Sequence, residues 1–478
     1  MNNEGKIKQL LKDTSILMVS NFLLKGITFF LLPLYTKYLS TSQLGISDTI
    51  TTTVSFLFPL LVMALDGALG AFYFDEENED YQNRVFNTVR ILLVISSLVP
   101  IILAFFAAPI SSLLFGSNKY YLLIIISLAS VSFNLWHLPF SILARLKNKM
   151  LLFSIVNVVS SAFMIALNIV FLVVFNLGEM SLILSTFIIN LLKLLIYFYF
   201  FNRSVATRFF DKNLSKKIFK FSIPLMPSTI AGWILNLSDR YFLIAFIGTS
   251  SVGLYGIANR FASILTIVTS AIFTAYTPFA FRYKNEEDSK KIFGDILNFL
   301  SLVLLSMSIF AVIFRHDIFR IMIDPSYNGA KPIMGLILFS QFIYGLNVIV
   351  GYGISFMKKS IYHTISVWVG AIVNIVLNYI FIPKYGIVAA AATTLVGYTV
   401  MFIITYRFAQ KLYRCDYEIY KISLLAIISF VSSHFIGELS LLYKILAFIV
   451  IVLLSIIIFK KSMIKLFLLL KTKRKEVH

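Results

Sequence analysis

One cysteine, Cys415, stands in 478 residues, which excludes an intrachain disulfide. Histidine is nearly as scarce, at five residues, and no Cys/His cluster has metal-ligand spacing, so zinc and redox chemistry drop out. Neither a G-x-S-x-G nucleophile motif nor a Walker-type phosphate loop occurs. Charged residues make up only 13% of the chain, too few to solvate the surface of a soluble domain this apolar. Acids are the scarcer sign, 22 against 42 Lys and Arg, for a net charge of +20. That excess does not point to nucleic acid, because the basic residues sit in short connections between apolar runs and form no aromatic-interleaved stripe.

What the chain has instead is hydrocarbon: 59% hydrophobic residues and a mean hydropathy of +0.88. Apolar stretches of about 20 residues recur along its length, each long enough to cross a ~30 Å hydrocarbon core as a helix. Charged and Gly/Pro/Asn-rich breaks divide these into about 14 transmembrane helices. The first run, residues 14–36, follows Lys6, Lys8 and Lys12 and is too long for a signal peptide, so it reads as a retained span. An even number of spans puts both termini on one side. Lys and Arg concentrate in the connections on that same side, which makes it cytoplasmic.

The chain also repeats itself. LSTSQLGI (Leu39 to Ile46) matches IGTSSVGL (Ile247 to Leu254) at a shift of 208, and ALNIVF (Ala166 to Phe171) matches VLNYIF (Val376 to Phe381) at 210. Gly178 and Thr186 match Gly386 and Thr394 at 208 again. An offset of this size covers six spans, so the copies share an orientation and relate by an axis along the membrane normal. The expected fold class is therefore all-α, a polytopic integral membrane protein with two parallel-repeat six-helix lobes. Residues 1–210 form the N-terminal lobe and 211–413 the C-terminal lobe, while 414–478 add two further spans and a basic cytoplasmic tail.

Lys25, Lys193, Arg240 and Arg260 fall inside spans, where each costs about 2.5–3.5 kcal/mol if it faces lipid at mid-depth. Lys193 lies near the inner end of its span and snorkels to the headgroups on the simplest reading. Lys25 lies near the midplane, either in a contact with helix-end carbonyls or Asp66, or on the wall of a cavity. Arg240 and Arg260 flank the outer turn at similar depth, open to the same two readings: an Asp–Arg clamp between helices or a cationic wall. Asp239 points roughly 100° from its neighbour Arg240 around an ideal helix, which favours Arg260 or another helix as its partner. A cluster of Lys25, Arg240 and Arg260 suits an anionic headgroup, since guanidinium matches phosphate oxygens bidentately. Asp66 and Asp239 are the acids available for proton or sodium coupling. Asn374, Asn378 and other span asparagines serve as helix glue or sugar contacts. His137 and His434 read as buried, satisfied histidines.

The segment Ile223 to Arg282, with its Asp239-Arg240 followed by GTSSVGLYGIANR, resembles the second-half signature of polysaccharide repeat-unit flippases, the Wzx or O-antigen transporter family. KGITFFLLPLYTKYLSTSQLGISDT resembles the first-half pattern. These flippases belong to the multidrug, oligosaccharidyl-lipid and polysaccharide exporter superfamily. The resemblance implies a V-shaped fold with a central cationic cavity, carried by Lys25, Asp239, Arg240 and Arg260. It implies a multi-pass protein of the bacterial cytoplasmic membrane that moves undecaprenyl-diphosphate-linked oligosaccharide to the outer face. There a polymerase would build O-antigen of lipopolysaccharide, capsule or a related polysaccharide. It further implies that spans 13 and 14 hold the polyprenyl tail, and that no cofactor is needed beyond a coupling ion. The rivals are a multidrug or cation exporter, which calls for an acidic cavity, and a lipid II flippase. A membrane polysaccharide polymerase, an enzyme, would need a large external loop with catalytic side chains, and none is long enough here.

Overall fold

The computed structural model describes residue 29 and residues 31–201 and 210–465. Among them all regular structure is helical, as expected. Among the described residues, eleven helices are long and apolar enough to cross a membrane. A twelfth span results if Lys212–Ser222 and Met226–Leu237, bent by 47°, count as one. One 52-residue helical segment, Ile361–Leu412, is reversed at Gly386. Gly386 has φ 57° and ψ −136°, a conformation that only glycine adopts readily. Its two arms lie side by side, with Asn378 bonded to Thr393. Most of the expected first span lies outside the described residues.

The described chain clusters into two compact units. One takes in the chain up to Trp233 together with Ile247–Gly253. In it, Ser40 and Gln43 form a reciprocal capping box that starts helix Thr41–Val62. Interior Pro59 removes a ladder hydrogen bond, and Met63 and Ala64 take left-handed φ values of 50° and 54°. The helix stops there and a new one, Leu65–Phe72, begins with Asp66 in its first turn. Leu65, Leu69, Phe86, Leu135 and Phe140 belong to a hydrophobic core of this unit.

The repeated outer turns meet inside this same unit. A Cβ on Gly45 would lie 2.7 Å from the Thr249 carbonyl carbon, and one on Gly253 would lie 3.0 Å from the Thr41 carbonyl carbon. Gly45 corresponds to Gly253, and Thr41 to Thr249, at the shift of 208. The contact is thus reciprocal, as an internal two-fold requires. The Ser42 and Thr249 hydroxyls bond across it at 2.7 Å.

The other unit comprises Ile234–Phe246 and the described chain from Leu254 onward. Its interior is Ser289–Ile313 and Pro325–Phe356, 56% and 67% buried over their apolar windows. The last two helices, Ile419–Ile436 and Leu441–Ile458, are only 22% and 11% buried and so face lipid. The connection between them is held by ions: Glu438 receives Arg315 and His316, and Lys444 meets Asp317 at 2.7 Å.

Candidate functional site

Helix Met226–Leu237 ends one residue before Ser238, and a new helix, Asp239–Phe246, starts at Asp239. This break lies in the second unit and presents a carboxylate at a helix start, where unpaired N–H groups favour negative charge. Asp239 is 1% exposed and Arg240 8%. Asp239 Oδ1 accepts from the Arg240 backbone N–H at 3.0 Å and lies 3.5 Å from Arg240 Nη1. The adjacent pair therefore bonds to itself, contrary to the ideal-helix expectation. The helix is interrupted at that point, and a flexible arginine can fold back on its neighbour. Arg240 Nη1 also donates to the Asn236 carbonyl at 3.4 Å, and its guanidinium sits 5.7 Å from the centre of the Tyr255 ring.

The other carboxylate oxygen meets the second arm of Ile361–Leu412. Thr394 Oγ1 is 3.3 Å from Asp239 Oδ2, 2.9 Å from the Ala390 carbonyl and 3.3 Å from the Tyr255 hydroxyl. Its single proton cannot serve both acceptors at once. Asn374 lies between: Nδ2 is 3.5 Å from Thr394 Oγ1, while Oδ1 accepts from Ser238 at 3.4 Å and from Asn378 at 3.1 Å. Thr393 donates to Asn378 Oδ1. One carboxylate, two amide oxygens, hydroxyls and a carbonyl thus converge in the interior of one unit. The network holds oxygens of the kind a hard monovalent cation accepts, beside the Arg240 guanidinium, and its carboxylate can take a proton instead.

The sequence candidates distribute as follows. Asp239 and Arg240 come together, with Arg240 clamped against its neighbour and Tyr255. Arg260 lies half-buried on helix Thr249–Tyr283 of the same unit. Asp66 is exposed in the other unit, and Lys25 lies outside the described residues. Lys193 finds a partner in the interior, since its Nζ donates to Asn157 Oδ1 at 3.2 Å. Of the two histidines expected to be buried, His137 is, with Nε2 3.5 Å from Asn190 Oδ1. His434 is exposed, because its helix is peripheral.

The roles of Thr394, Tyr255 and Ser238 carried no chemical signal in the sequence. Asn374 and Asn378 did, as an i, i+4 amide pair on one helix face, and Thr394 was visible only as a repeat match. Among the described residues no three His, Cys, Asp or Glu side chains gather as a metal site, so the constellation around Asp239 depends on its neutral oxygens.

A family model described as polysaccharide biosynthesis protein matches residues 10–284, and a MatE model matches residues 224–380. The succinoglycan biosynthesis transport protein ExoT of Rhizobium meliloti is 24% identical over 66% of this chain and 63% of its own. A probable low-salt glycan biosynthesis flippase, Agl15 of Haloferax volcanii, is 22% identical over 39% of this chain and 40% of its own. Among solved structures, the lipid II flippase MurJ in an inward closed conformation superposes with a TM-score of 0.75 at 16% identity. That match covers 95% of this chain and all of MurJ, which establishes the fold.

Proposed function

The chain belongs to the polysaccharide biosynthesis protein family, within the multidrug, oligosaccharidyl-lipid and polysaccharide exporter superfamily, and on that premise we propose that it flips a lipid-linked oligosaccharide across the membrane. It is a multi-pass transporter of glycan biosynthesis and not an enzyme. The observation that carries the reading is the family match over residues 10–284, more than half the chain, on a fold shared with a lipid flippase. The substrate is a polyprenyl-diphosphate-linked oligosaccharide, with undecaprenyl as the carrier in a bacterium. It moves from the inner to the outer face of the cytoplasmic membrane, where a polymerase consumes it for O-antigen, capsule or a related polysaccharide. Residues 1–210 and 211–413 act as the two lobes of alternating access, with 414–478 added as lipid-facing helices and a cytoplasmic tail, and both termini are cytoplasmic.

Lys25 and Arg260 contribute positive charge to the pyrophosphate path, and Arg240 orients Asp239. An interior-negative potential drives an anion outward by about 2.3 kcal/mol per charge per 100 mV, which favours export. The oxygen constellation around Asp239 takes the coupling cation, sodium or a proton, and Asp66 is the second candidate acid. A multidrug exporter is the alternative that the MatE match favours. It wants uncompensated acids for cationic drugs, whereas Asp239 has Arg240 beside it.

Deleting the gene tests the reading. Lipid-linked oligosaccharide should accumulate facing the cytoplasm and surface polymer should disappear, with both reversed by the intact protein. Normal export in the deletion strain, or restored resistance to organic cations as the sole effect of the protein, would overturn it.

A further inference from the structure

The first unit holds an open chamber of about 280 Å³, largely apolar with a group of uncharged polar side chains, between helices Thr41–Val62, Tyr121–Leu146 and Met180–Phe201. Its lining includes no ionisable side chain. Hydroxyls of Thr51, Ser55, Ser127 and Thr186 and the amides of Asn134 and Asn190 face apolar patches from Val54, Phe58 and Ile183. Several of these groups are anchored to protein. Ser55 accepts the Trp233 indole N–H at 3.0 Å, Asn190 donates to Ser130 Oγ at 2.9 Å, and Thr186 donates to the Leu182 carbonyl at 2.8 Å. Thr51, Ser127 and Asn134 have no such side-chain partner among the described residues. Thr51 and Thr186 are exposed, so the chamber is open at their edge.

Duplication sharpens the contrast with the Asp239 site. Thr186 corresponds to Thr394, which touches the carboxylate, but the counterpart of Asp239 at the same shift of 208 is Leu31, a buried apolar residue. One copy of the ancestral unit kept a charge and the other has a neutral chamber. A cation or a phosphate would find no countercharge in these walls, and an apolar tail would leave Thr51, Ser127 and Asn134 unpaired at about 1–3 kcal/mol each. A neutral ring with hydroxyls around its edge and C–H faces above and below satisfies both kinds of wall.

We propose that this chamber is a subsite for one uncharged sugar residue of the lipid-linked saccharide, with the pyrophosphate bound elsewhere. The inference rests on the flippase reading. The amide of Asn134 supplies paired donor and acceptor to vicinal hydroxyls, Thr51 and Ser127 complete the set, and Phe58 covers a sugar face.

The test uses the full-length protein in nanodiscs, with Cys415→Ser removing the native thiol and Val54→Cys placing a reporter in the chamber wall while Asn134 is kept. Alkylation by a neutral maleimide is followed with polyprenyl diphosphate and with its glucose-, galactose- and N-acetylglucosamine-bearing forms. At least one neutral-sugar lipid should slow alkylation about tenfold beyond the sugar-free lipid, and a glucuronate-bearing lipid should protect less. Thr51→Val should weaken binding of the protective lipid severalfold and leave the sugar-free lipid unchanged. Equal protection with and without sugar overturns the subsite and leaves the flippase reading standing. Absence of binding by every lipid diphosphate overturns both.

Discussion

Replacing Gly45 with alanine should force the two outer turns apart. The added Cβ would lie 2.7 Å from the Thr249 carbonyl carbon and 3.0 Å from the Gly253 nitrogen, and both neighbours are backbone. Carbon atoms pack without repulsion at about 3.5–4.0 Å, so the turns must separate by about 1 Å. The Ser42–Thr249 hydrogen bond, now 2.7 Å, would stretch beyond bonding range. Overpacking costs about 1–3 kcal/mol and the lost bond about 1 more, or about 2–4 kcal/mol against this arrangement. That corresponds to roughly a 30- to 700-fold shift toward any arrangement with the turns apart. The assay is disulfide formation between Ser42→Cys and Thr249→Cys in a Cys415→Ser background. The cysteines already replace the Ser42–Thr249 bond, so the overpacking alone, about 1–3 kcal/mol, should slow cross-linking about 5- to 150-fold in Gly45→Ala, and Gly253→Ala should do the same because the contact is reciprocal. Gly70→Ala, where a Cβ meets no atom within 4 Å, should leave the rate unchanged. Cross-linking at the parent rate in both Gly45→Ala and Gly253→Ala would refute the close backbone crossing.

Three further outcomes follow from the second unit. Arg240→Ala leaves the Asp239 carboxylate buried without its nearest cation, which should cost about 3–5 kcal/mol and lower the yield of folded protein; adding Asp239→Asn should recover much of that loss, as read by thermal unfolding in detergent. The hydrogen bond from His316, with Arg315 adding to it, holds the Glu438 carboxyl below the ordinary glutamate range. Its contribution is therefore complete at neutral pH and disappears as pH falls through that lowered value, beneath about 4.3. Glu438 is largely exposed, so Glu438→Gln should cost less than about 1 kcal/mol at pH 7 and remove this acid-dependent step from the melting curve. Burial raises the Cys415 thiol to about 11, so the native protein should resist maleimide at pH 7.5, measured by mass.

The membrane-spanning class and most spans were legible because apolar runs of membrane length leave little choice of structure. Of the glycines matched in sequence, Gly45 and Gly253 are where two backbones cross. The breaks were harder to read. Ser238 interrupts a helix without proline or glycine, and that interruption lets Asp239 pair with the residue beside it. Gly386 stood out only as a repeat match, and in the structure it is a reversal that brings Asn374 and Asn378 against Thr393 and Thr394. The neutral members of the Asp239 site and of the sugar chamber resemble ordinary helix-packing residues in sequence, because serine, threonine and asparagine serve both purposes. Only their convergence from separate helices distinguishes them.

The central claim is that this chain carries a lipid-linked glycan across a bilayer. Purified protein in liposomes, supplied with a fluorescent polyprenyl-diphosphate oligosaccharide, tests it through the rate at which the label becomes accessible to a quencher on the opposite face. The account predicts a protein-dependent rate well above that of empty liposomes, reduced by Asp239→Asn. A rate equal to empty liposomes for every glycan-bearing lipid tried, with protein that unfolds cooperatively and is correctly inserted, would contradict it.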